Sequence, residues 1–508
     1  MNRRDFLKYG ALTLSPLLIK VAQEATASSP AHNFEIELLS DAAVGHILRE
    51  SQQYPKGKTL KTNYLIVGGG IAGLSAAYAL RKEDFLLCEL SQQLGGSSSA
   101  NTHRDQYFAQ GAHYDLAYPA YYGKELLGVL YDLDVVDYNS QLDTWEFVDR
   151  QYLIAPDKES VTFDKGTIRA DVLPEGEEKD KLKALLLPFV GHMPMPTTQI
   201  DPQFHYLNKL TFAQYLQQKG ITNPALLQAI DYAMRDDWGA SSQVVSALAG
   251  VHYYTCRPYF EQDPQLFSPP QGNAYFAQKF ISKVPQKRLL TQQLVQKIQP
   301  TSTGFEVTIV DVKAKQQWTI QTQKIVYAAH KHALKYVYPK GYTLFENNQY
   351  SPWVVVNVIL KNPPTKKMIW QNEYLSGEET FMGFVDSGAQ FQPQTTRRTL
   401  TAYYCFAPEE RGQLLQLSQK APALVQKTIG YLEEVLKEEL KPQIEKVYLK
   451  AMGHAMPIPH PHFLLQNPNQ NALNTGIAYA GVDSGRLPLF FEAADSGLQA
   501  VKALQSSS

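Results

Sequence analysis

The stretch "NYLIVGGGIAGLSAAYAL", residues 63–80, constrains the fold of this chain more than any other stretch. An apolar strand runs into Gly68-x-Gly70-x-x-Gly73, and a helical pattern follows. Gly68 permits a tight turn, Gly70 lets a ligand approach the backbone, and Gly73 lets the helix pack close to the strand. The free N–H groups at the start of such a helix attract a pyrophosphate. The stretch therefore predicts a dinucleotide site.

A second strand and an acid follow at the spacing that such a site requires. The segment "DFLLCEL" carries Glu89 near its end, about 20 residues beyond the first glycine, where an acid binds a ribose hydroxyl. A carboxylate there would repel the 2′-phosphate of NADP. Two strands, a turn, a helix and this acid favour NAD or FAD.

Several later segments resemble the flavin amine oxidase superfamily. "ELSQQLGGSSSA" is similar to the family's E-x5-G-G-R element, with Ser97 in place of the arginine, and "FAQGAHYDLAYP" to its glycine-alanine segment. Three further segments match elements of the family in the same order: "QQLVQKI", "KIVYAAHKHAL" and "YAGVDSGRLPLFFEAADSGLQAVKAL". The resemblance implies FAD. The family's cysteinyl attachment lies near the C-terminus, whereas the last cysteine here is Cys405, so we expect non-covalent FAD.

The resemblance also implies which residues hold FAD. The backbone of Val295 would meet adenine, and Asp483 would serve the ribityl chain, one position after the usual acid. A helix that starts near Ala493 would direct its positive end at the flavin N1/O2 edge. The complete predicted set is Gly68, Gly70, Ile71, Ala72, Gly73, Glu89, Gly95, Gly96, Ser97, Gly111, Ala112, His113, Val295, Gly481, Asp483, Glu492, Ala493 and Ala494.

The catalytic residues are less well defined. Family members hold a water near flavin N5 with a strand lysine, and an ungapped alignment of "NVILKNPP" places Asn357 at that position. Asn357 can hold a water but cannot act as a base; alternatively, backbone groups satisfy it. His113 and His454 are candidate general bases, and Phe490 is a candidate wall of the substrate cage. Each of these three also has a purely structural alternative.

These segments predict an α/β fold: a Rossmann-like FAD-binding domain with a parallel sheet, interleaved with a mixed α+β substrate domain. "FEVTIV" and "QWTIQT" alternate as strands do, and a long helix is expected over 422–436. The predicted boundaries are a signal peptide at 1–27, an arm with one short helix at 28–60, the FAD-binding domain at 61–118, 271–340 and 468–508, and the substrate domain at 119–270 and 341–467.

Composition and spacing argue against other classes of protein. The formal net charge is −1 and we find no basic stripe, so we expect no nucleic-acid partner. "HAMPIPHPHF" has three histidines but no acid or cysteine to complete a ligand set, so no metal is expected. No nucleophile elbow is present to support a hydrolase.

The N-terminus carries an export pattern. "MNRRDFLKYGALTLSPLLIKVAQEATASSP" has Arg3-Arg4 before Phe6-Leu7-Lys8, as in twin-arginine signals, then a modest apolar run and Ala25-Thr26-Ala27 as a cleavage site. The run is too short and interrupted to be a membrane span. We expect export in folded form by the twin-arginine machinery, with FAD already loaded, to the periplasm, and a soluble mature protein.

Three functions fit these observations. The first is an exported flavoenzyme that oxidises a small molecule by hydride transfer to flavin N5, and an amine is the favoured substrate. Oxygen or another acceptor would reoxidise the flavin. The second is a flavin desaturase, dehydrogenase or isomerase acting on an apolar substrate. The third is a protein that binds FAD without catalysis.

Replacing Arg3 and Arg4 by lysine tests the export prediction. The double variant should stay in the cytoplasm uncleaved, because the twin-arginine route reads both guanidinium groups. Cell fractionation with immunoblotting measures this, and Lys20→Arg, which keeps every charge, is the control. Wild-type export of the double-lysine variant would contradict the prediction.

Overall fold

The strand before the glycine turn is the centre of a predominantly parallel sheet. The computed structural model describes residues 33–39, 42–49, 54–111, 113, 115–116, 122–155, 160–256, 266–365, 369–375, 380–389 and 397–505. The predicted signal peptide and Ala112 lie outside these residues. Among the residues described, no helix is both long enough and apolar enough to cross a membrane.

The described strands are β1 (Glu35–Leu39), β2 (Lys56–Val67), β3 (Phe85–Cys88), β4 (Ala100–His103), β5 (Gln106–Ala109), β6 (Asp115–Leu116), β7 (Val136–Asn139), β8 (Thr144–Phe147), β9 (Ser160–Asp164), β10 (Thr167–Arg169), β11 (Leu266–Phe267), β12 (Leu289–Leu290), β13 (Gln293–Thr301), β14 (Gly304–Asp311), β15 (Gln316–Tyr327), β16 (Tyr350–Leu360), β17 (Gln371–Tyr374), β18 (Phe381–Val385), β19 (Arg398–Cys405), β20 (Ile444–Pro457) and β21 (Ile477–Tyr479).

The described α-helices are α1 (Ala42–His46), α2 (Ile71–Ala79), α3 (Lys124–Asp132), α4 (Glu177–Leu186), α5 (Phe212–Gln218), α6 (Pro224–Trp238), α7 (Ala247–Thr255), α8 (Ala274–Ser282), α9 (Leu334–Val337), α10 (Pro339–Tyr342), α11 (Leu417–Leu436), α12 (Ala472–Thr475) and α13 (Phe490–Gln505).

The first large sheet contains the glycine turn. Its strands follow the order β12-β3-β2-β15-β14-β13, and β21 also pairs with β15. The pairs β2–β3, β2–β15 and β15–β21 are parallel, whereas β13, β14 and β15 form an antiparallel meander. On one face, Ile66 packs in the same core as helices α2 and α13; on the other, Leu65 joins the core of the meander. The predicted α/β fold with a Rossmann-like domain is confirmed.

The second large sheet has the order β1-β20-β16-β19-β18-β17-β9-β10. Helix α11 covers one face of it through Val425, Ile429 and Leu432, which share a core with Val356. The edge strand β1 comes from the N-terminal arm and runs parallel to β20. The sequence predicted only a short helix in this arm, because five residues of "EIELL" are too few to establish strand alternation.

Two helices begin earlier than their sequence patterns indicated. Helix α11 starts at Leu417 rather than at Pro422, which lies inside it, because Leu417 and Ala421 extend its buried face. Helix α13 starts at Phe490, three positions before Ala493, because Phe490 and Phe491 are buried in the core. Burial of these apolar side chains moved both boundaries.

Helix α13 packs on α2 so closely that Gly497 meets the backbone of α2. A Cβ at position 497 would collide with the carbonyl oxygen of Ala72, so Gly497→Ala should lower the free energy of unfolding by about 1–3 kcal/mol. The control is Gly430→Ala in α11, where a Cβ meets open space and alanine should stabilise by up to about 1 kcal/mol. Urea unfolding measures both. Equal stability of Gly497→Ala and wild type would contradict this packing.

Candidate functional site

The turn after β2 is packed against backbone at Gly68 and Gly73 and is open at Gly70. Gly68 has a φ of +102°, and a Cβ there would lie 2.8 Å from the amide nitrogen of Ala329. A Cβ on Gly73 would collide with the carbonyl oxygen of Gly68. Gly70, by contrast, has open space on its Cβ side and immediately precedes α2. A ligand can therefore approach the backbone at Gly70, next to the unpaired first amides of the helix.

Glu89 follows β3 and lies against this turn. Its Oε2 accepts a hydrogen bond from the amide of Gly69 at 2.6 Å, and its Oε1 accepts one from Ser91 at 2.8 Å. The side chain is buried at 9% exposure and borders a large cavity. Each carboxylate oxygen has a second lone pair, so the group can also accept from a ligand hydroxyl.

The glycine pair predicted from the sequence packs on the turn. The amide of Gly95 donates to the carbonyl of Gly69 at 2.8 Å, and a Cβ on Gly96 would lie 3.2 Å from the Cα of Gly70. Gly111 in turn approaches the backbone of Ser97, since a Cβ would lie 2.7 Å from its carbonyl oxygen. The floor of the site is thus built from backbone with few side chains.

The C-terminal segment meets the same edge of the sheet. Ala480 donates to the carbonyl of Tyr327 at 2.9 Å, and the amide of Gly481 donates to Ser496 Oγ at 2.8 Å. Asp483 forms a buried ion pair with Lys331 at 2.9 Å. Burial alone would raise the pKa of Asp483, but the charge and hydrogen bonds of Lys331, together with His330, hold it below its usual value. This carboxylate therefore stays charged and anchors the segment.

These elements surround a cavity of about 870 Å³ that extends to the second sheet. Its size is near the upper end of the range of about 300–1,000 Å³ for small-molecule sites. Most of the residues predicted from the sequence line it: Gly68, Gly70, Ile71, Ala72, Glu89, Gly95, Gly96, Ser97, Gly111, His113, Val295, Gly481, Asp483 and Ala493.

Three predicted residues support the site from outside the cavity lining. Gly73 lies behind the turn. The carboxylate of Glu492 accepts from the amide of Thr197 at 2.7 Å and from Arg486 at 3.1 Å, and the residue is fully buried. The carbonyl of Ala494 accepts from Ser75 at 2.5 Å, which joins α13 to α2. Glu492 and Ala494 thus fix the position of α13.

His113 borders the cavity with both ring nitrogens unsatisfied by protein groups. Its ring meets that of Tyr403 edge-on, with 5.4 Å between centroids. Burial lowers the pKa of His113 to about 3, so the imidazole is neutral at pH 7. A neutral imidazole offers one donor and one acceptor to a ligand, but its low pKa makes it a weak general base.

Asn357 lies on β16 but is absent from the cavity lining. Its amide donates to the carbonyl of Ala109 at 3.3 Å and accepts from Thr401 at 2.7 Å, which favours the structural alternative. Two positions along the strand, Val355 does face the cavity and is paired in register with Lys450 of β20. Lys450 also lines the cavity, so a basic side chain does face it, from the neighbouring strand.

The far end of the cavity has aromatic walls and two carboxylates. Asp236 and Asp237, at the end of α6, line this end, and Asp236 accepts from Gln371 at 3.2 Å. Phe490 also borders the cavity and stacks on Phe276 with 4.0 Å between centroids, so it both packs and forms the wall. The other aromatic wall residues here are Trp238, Tyr253, Trp353, Trp370 and Tyr403.

His454 lies elsewhere on the cavity wall, where its ring stacks on that of His332 with 3.7 Å between centroids. Burial and nearby cations lower the pKa of His454 to about 3, so it too is neutral at pH 7. His460 and His462 do not line the cavity. Within the described ranges, no group of three or more His, Cys, Asp or Glu is arranged to hold a metal.

Comparison with known proteins agrees with this architecture. Residues 66–124 match the family model of the NAD(P)-binding Rossmann-like domain. A double variant of putrescine oxidase superposes with a TM-score of 0.62 at 15% identity, over 88% of this chain and 100% of that one. Cyclohexylamine oxidase from Brevibacterium oxydans gives 0.59 at 13% identity, over 87% and 98%. The chain has the fold of the flavin amine oxidases.

At these identities, likeness to the flavin amine oxidase fold concerns architecture alone. A second kind of neighbour, an Exiguobacterium protein described as a protoporphyrinogen oxidase, has a TM-score of 0.61 at 14% identity, over 88% of this chain and 99% of that one. No curated protein sequence matches the chain. The fold thus accommodates several substrates, and the residues of this chain must decide among them.

Several cavity residues were missed by the sequence analysis. Asp236 and Asp237 stand in "MRDDWG", where an acid pair at a helix end has the ordinary interpretation of a solvated surface. Lys450 begins a run of cavity residues along β20, but β20 was not identified as a strand that borders the cavity. Arg49 and Arg411 line the cavity from the arm and from the segment before α11, and no local motif marks them.

Proposed function

We propose that the chain binds FAD non-covalently and uses it to oxidise a small-molecule amine. One observation carries the proposal: a continuous cavity joins a dinucleotide-type turn to an aromatic chamber that contains two carboxylates. The turn alone would also suit a simple nucleotide-binding protein, and the chamber alone would suit many small-molecule sites. Their continuity supports an oxidase, because a small molecule in the chamber would then lie beside the nucleotide.

The residues present fit FAD. Gly70 leaves room for a diphosphate beside the helix amides, and Glu89 has lone pairs for the ribose hydroxyls. The unsatisfied nitrogens of His113 provide a donor and an acceptor in the same cavity. When bound, FAD supplies an acceptor for two electrons and a proton. Oxygen or another small acceptor would then remove the electrons.

The chamber residues would bind and orient an amine. The carboxylates of Asp236 and Asp237 attract an ammonium group, and the aromatic faces around them add cation–π attraction while excluding water. Lys450 and neutral His113 would hold the substrate or a water by hydrogen bonds. Because an amine must lose its proton before it can be oxidised, the acid pair would also be placed to accept that proton.

An apolar substrate for a desaturase or dehydrogenase is the second candidate, favoured by the aromatic walls and by a strand asparagine where the family has lysine. Anaerobic mixing with a panel of amines, including putrescine and cyclohexylamine, separates the two. Bleaching of the flavin by amines supports the proposal, and bleaching by apolar compounds only supports the second candidate. We also propose that the folded, FAD-loaded protein is exported to the periplasm through its twin-arginine segment.

Gly70→Leu tests whether FAD lies on the turn. The new side chain would enter open space, so the fold should persist, but it would occupy the volume proposed for the diphosphate. We expect the thermal midpoint of the apoprotein to be unchanged. The purified variant should lack the absorbance at about 450 nm that is typical of bound flavin. The control is Gly128→Leu in α3, which also points into open space but away from the cavity. Wild-type flavin content in Gly70→Leu would contradict the proposal.

Asp236→Asn/Asp237→Asn tests amine recognition. Loss of both charges should lower kcat/KM for a cationic amine about 10–100-fold, because a hydrogen bond to a charged group contributes about 1.5–3 kcal/mol. The flavin content should stay at the wild-type level, and the control is Asp180→Asn on the exposed face of α4. An unchanged kcat/KM would show that the acid pair does not bind the substrate.

A further inference from the structure

A cluster of aromatic and cationic groups lines the cavity where the two sheets meet. The rings of His332 and His454 are stacked, with an angle of 13° between their planes. Tyr350 meets both rings edge-on, at centroid distances of 5.7 Å and 5.5 Å. Arg411 is fixed beside them by hydrogen bonds to the carbonyls of Gly453 at 2.5 Å and Tyr350 at 2.7 Å.

The charges that act on this histidine pair are positive. His330, Lys335 and Arg411 act on both His332 and His454, and Arg49 acts on His454 as well. Burial, reinforced by these cations, lowers the pKa of both rings below the ordinary histidine value. The histidines are therefore neutral, and the guanidinium groups of Arg49 and Arg411 on the same cavity wall would attract an anion, to which the imidazoles could donate hydrogen bonds.

Short contacts join the cluster to the glycine turn. His330 directly follows Ala328 and Ala329, whose backbone atoms contact the Cβ side of Gly68. Tyr350 donates to Asp483 at 3.1 Å, and a Cβ at Gly481 would lie 3.0 Å from that carboxylate. The cluster is therefore joined by short contacts to the two glycine turns that enclose the nucleotide end of the cavity.

The N-terminal arm completes this end of the cavity. After β1, the arm passes close to Leu90, the residue that follows Glu89. A Cβ on Gly45 of the arm would lie 3.9 Å from the side chain of Leu90. The turn Ile47–Arg49 then packs on α9, which packs on β13 beside Val295. His46, Leu48 and Arg49 line the cavity from this side.

We propose that Arg49, Arg411, His332 and His454 form a cationic site for the FAD diphosphate, in which the two guanidinium groups carry the charge and the neutral imidazoles donate hydrogen bonds. We propose also that the N-terminal arm closes over the adenosine half of the cofactor. This inference rests on the proposed binding of FAD. It also accounts for Ser97, an uncharged residue at the position where the resembling family has arginine. The positive charge comes instead from the arm and from the second sheet, so both domains would bind one diphosphate.

Titration of apoprotein with FAD, ADP and riboflavin tests this site. Arg49→Gln and His454→Gln should each weaken FAD and ADP about tenfold or more, because each loses a charge-assisted hydrogen bond to phosphate. Riboflavin has no phosphate, so its affinity should not change. Arg49→Lys should recover part of the loss. The matched control is Lys340→Gln in α10, a basic residue outside the cavity lining, which should bind all three ligands as wild type does.

The outcomes separate this inference from the proposed function. If wild-type protein binds neither FAD nor ADP, the proposed function itself fails. If wild type binds FAD, and both variants bind FAD and ADP as tightly as wild type does, the proposed cationic site is wrong while the proposed function stands. If the variants keep wild-type FAD affinity but have a raised KM only for amines that carry a carboxylate, the cluster binds substrate. That result would also overturn the diphosphate assignment. Circular dichroism of each apoprotein verifies that the variants fold.

Discussion

Helix α13 packs on helix α2 at a distance that requires glycine at position 497, and the geometry of the site depends on this contact. Because α2 begins at the glycine turn, fixing this helix also fixes its first amides at the cavity. Ser75 and Ala494, 419 positions apart in sequence, are joined by a hydrogen bond across the two helices. The parallel strands β2, β15 and β21 bring their carboxyl ends to the same edge, where a Rossmann-type sheet binds its ligand.

Buried ion pairs hold this edge of the sheet together. Lys331 and Asp483 link the turn after β15 to the turn after β21, and Arg486 with Glu492 fixes the start of α13. Removing one partner of such a pair would leave an uncompensated charge in the interior, at a cost of about 3–5 kcal/mol. These pairs fix the turns at the nucleotide end relative to one another.

The sequence predicted those parts of the site that depend on local backbone chemistry. Gly68, Gly70 and Gly73 stand between two predicted strands and Glu89 follows about 20 residues later, so the turn and the acid beside it could be derived. Asn357 and Glu492 could not be placed in this way, because a strand or helix residue faces a cavity or a core according to its tertiary partners. Asn357 packs under β5 while Val355, two residues earlier, faces the cavity.

Contributions from distant segments were also hidden in the sequence. The arm "EIELL" is too short to show strand periodicity, yet β20 provides a partner that makes it an edge strand. Asp236 and Asp237 resemble surface acids until α6 is placed against β17 and the aromatic walls. Long-range packing gives such residues their roles, and neither composition nor spacing encodes that packing directly.

The central claim is that one cavity holds FAD beside a bound amine. The most direct measurement is the absorbance spectrum of the purified protein, combined with mass spectrometry of the small molecule that heat denaturation releases. We expect a flavin spectrum and release of FAD, one molecule per chain. Release of NAD or NADP, or of no nucleotide from a protein that also fails to bind added FAD, would contradict it.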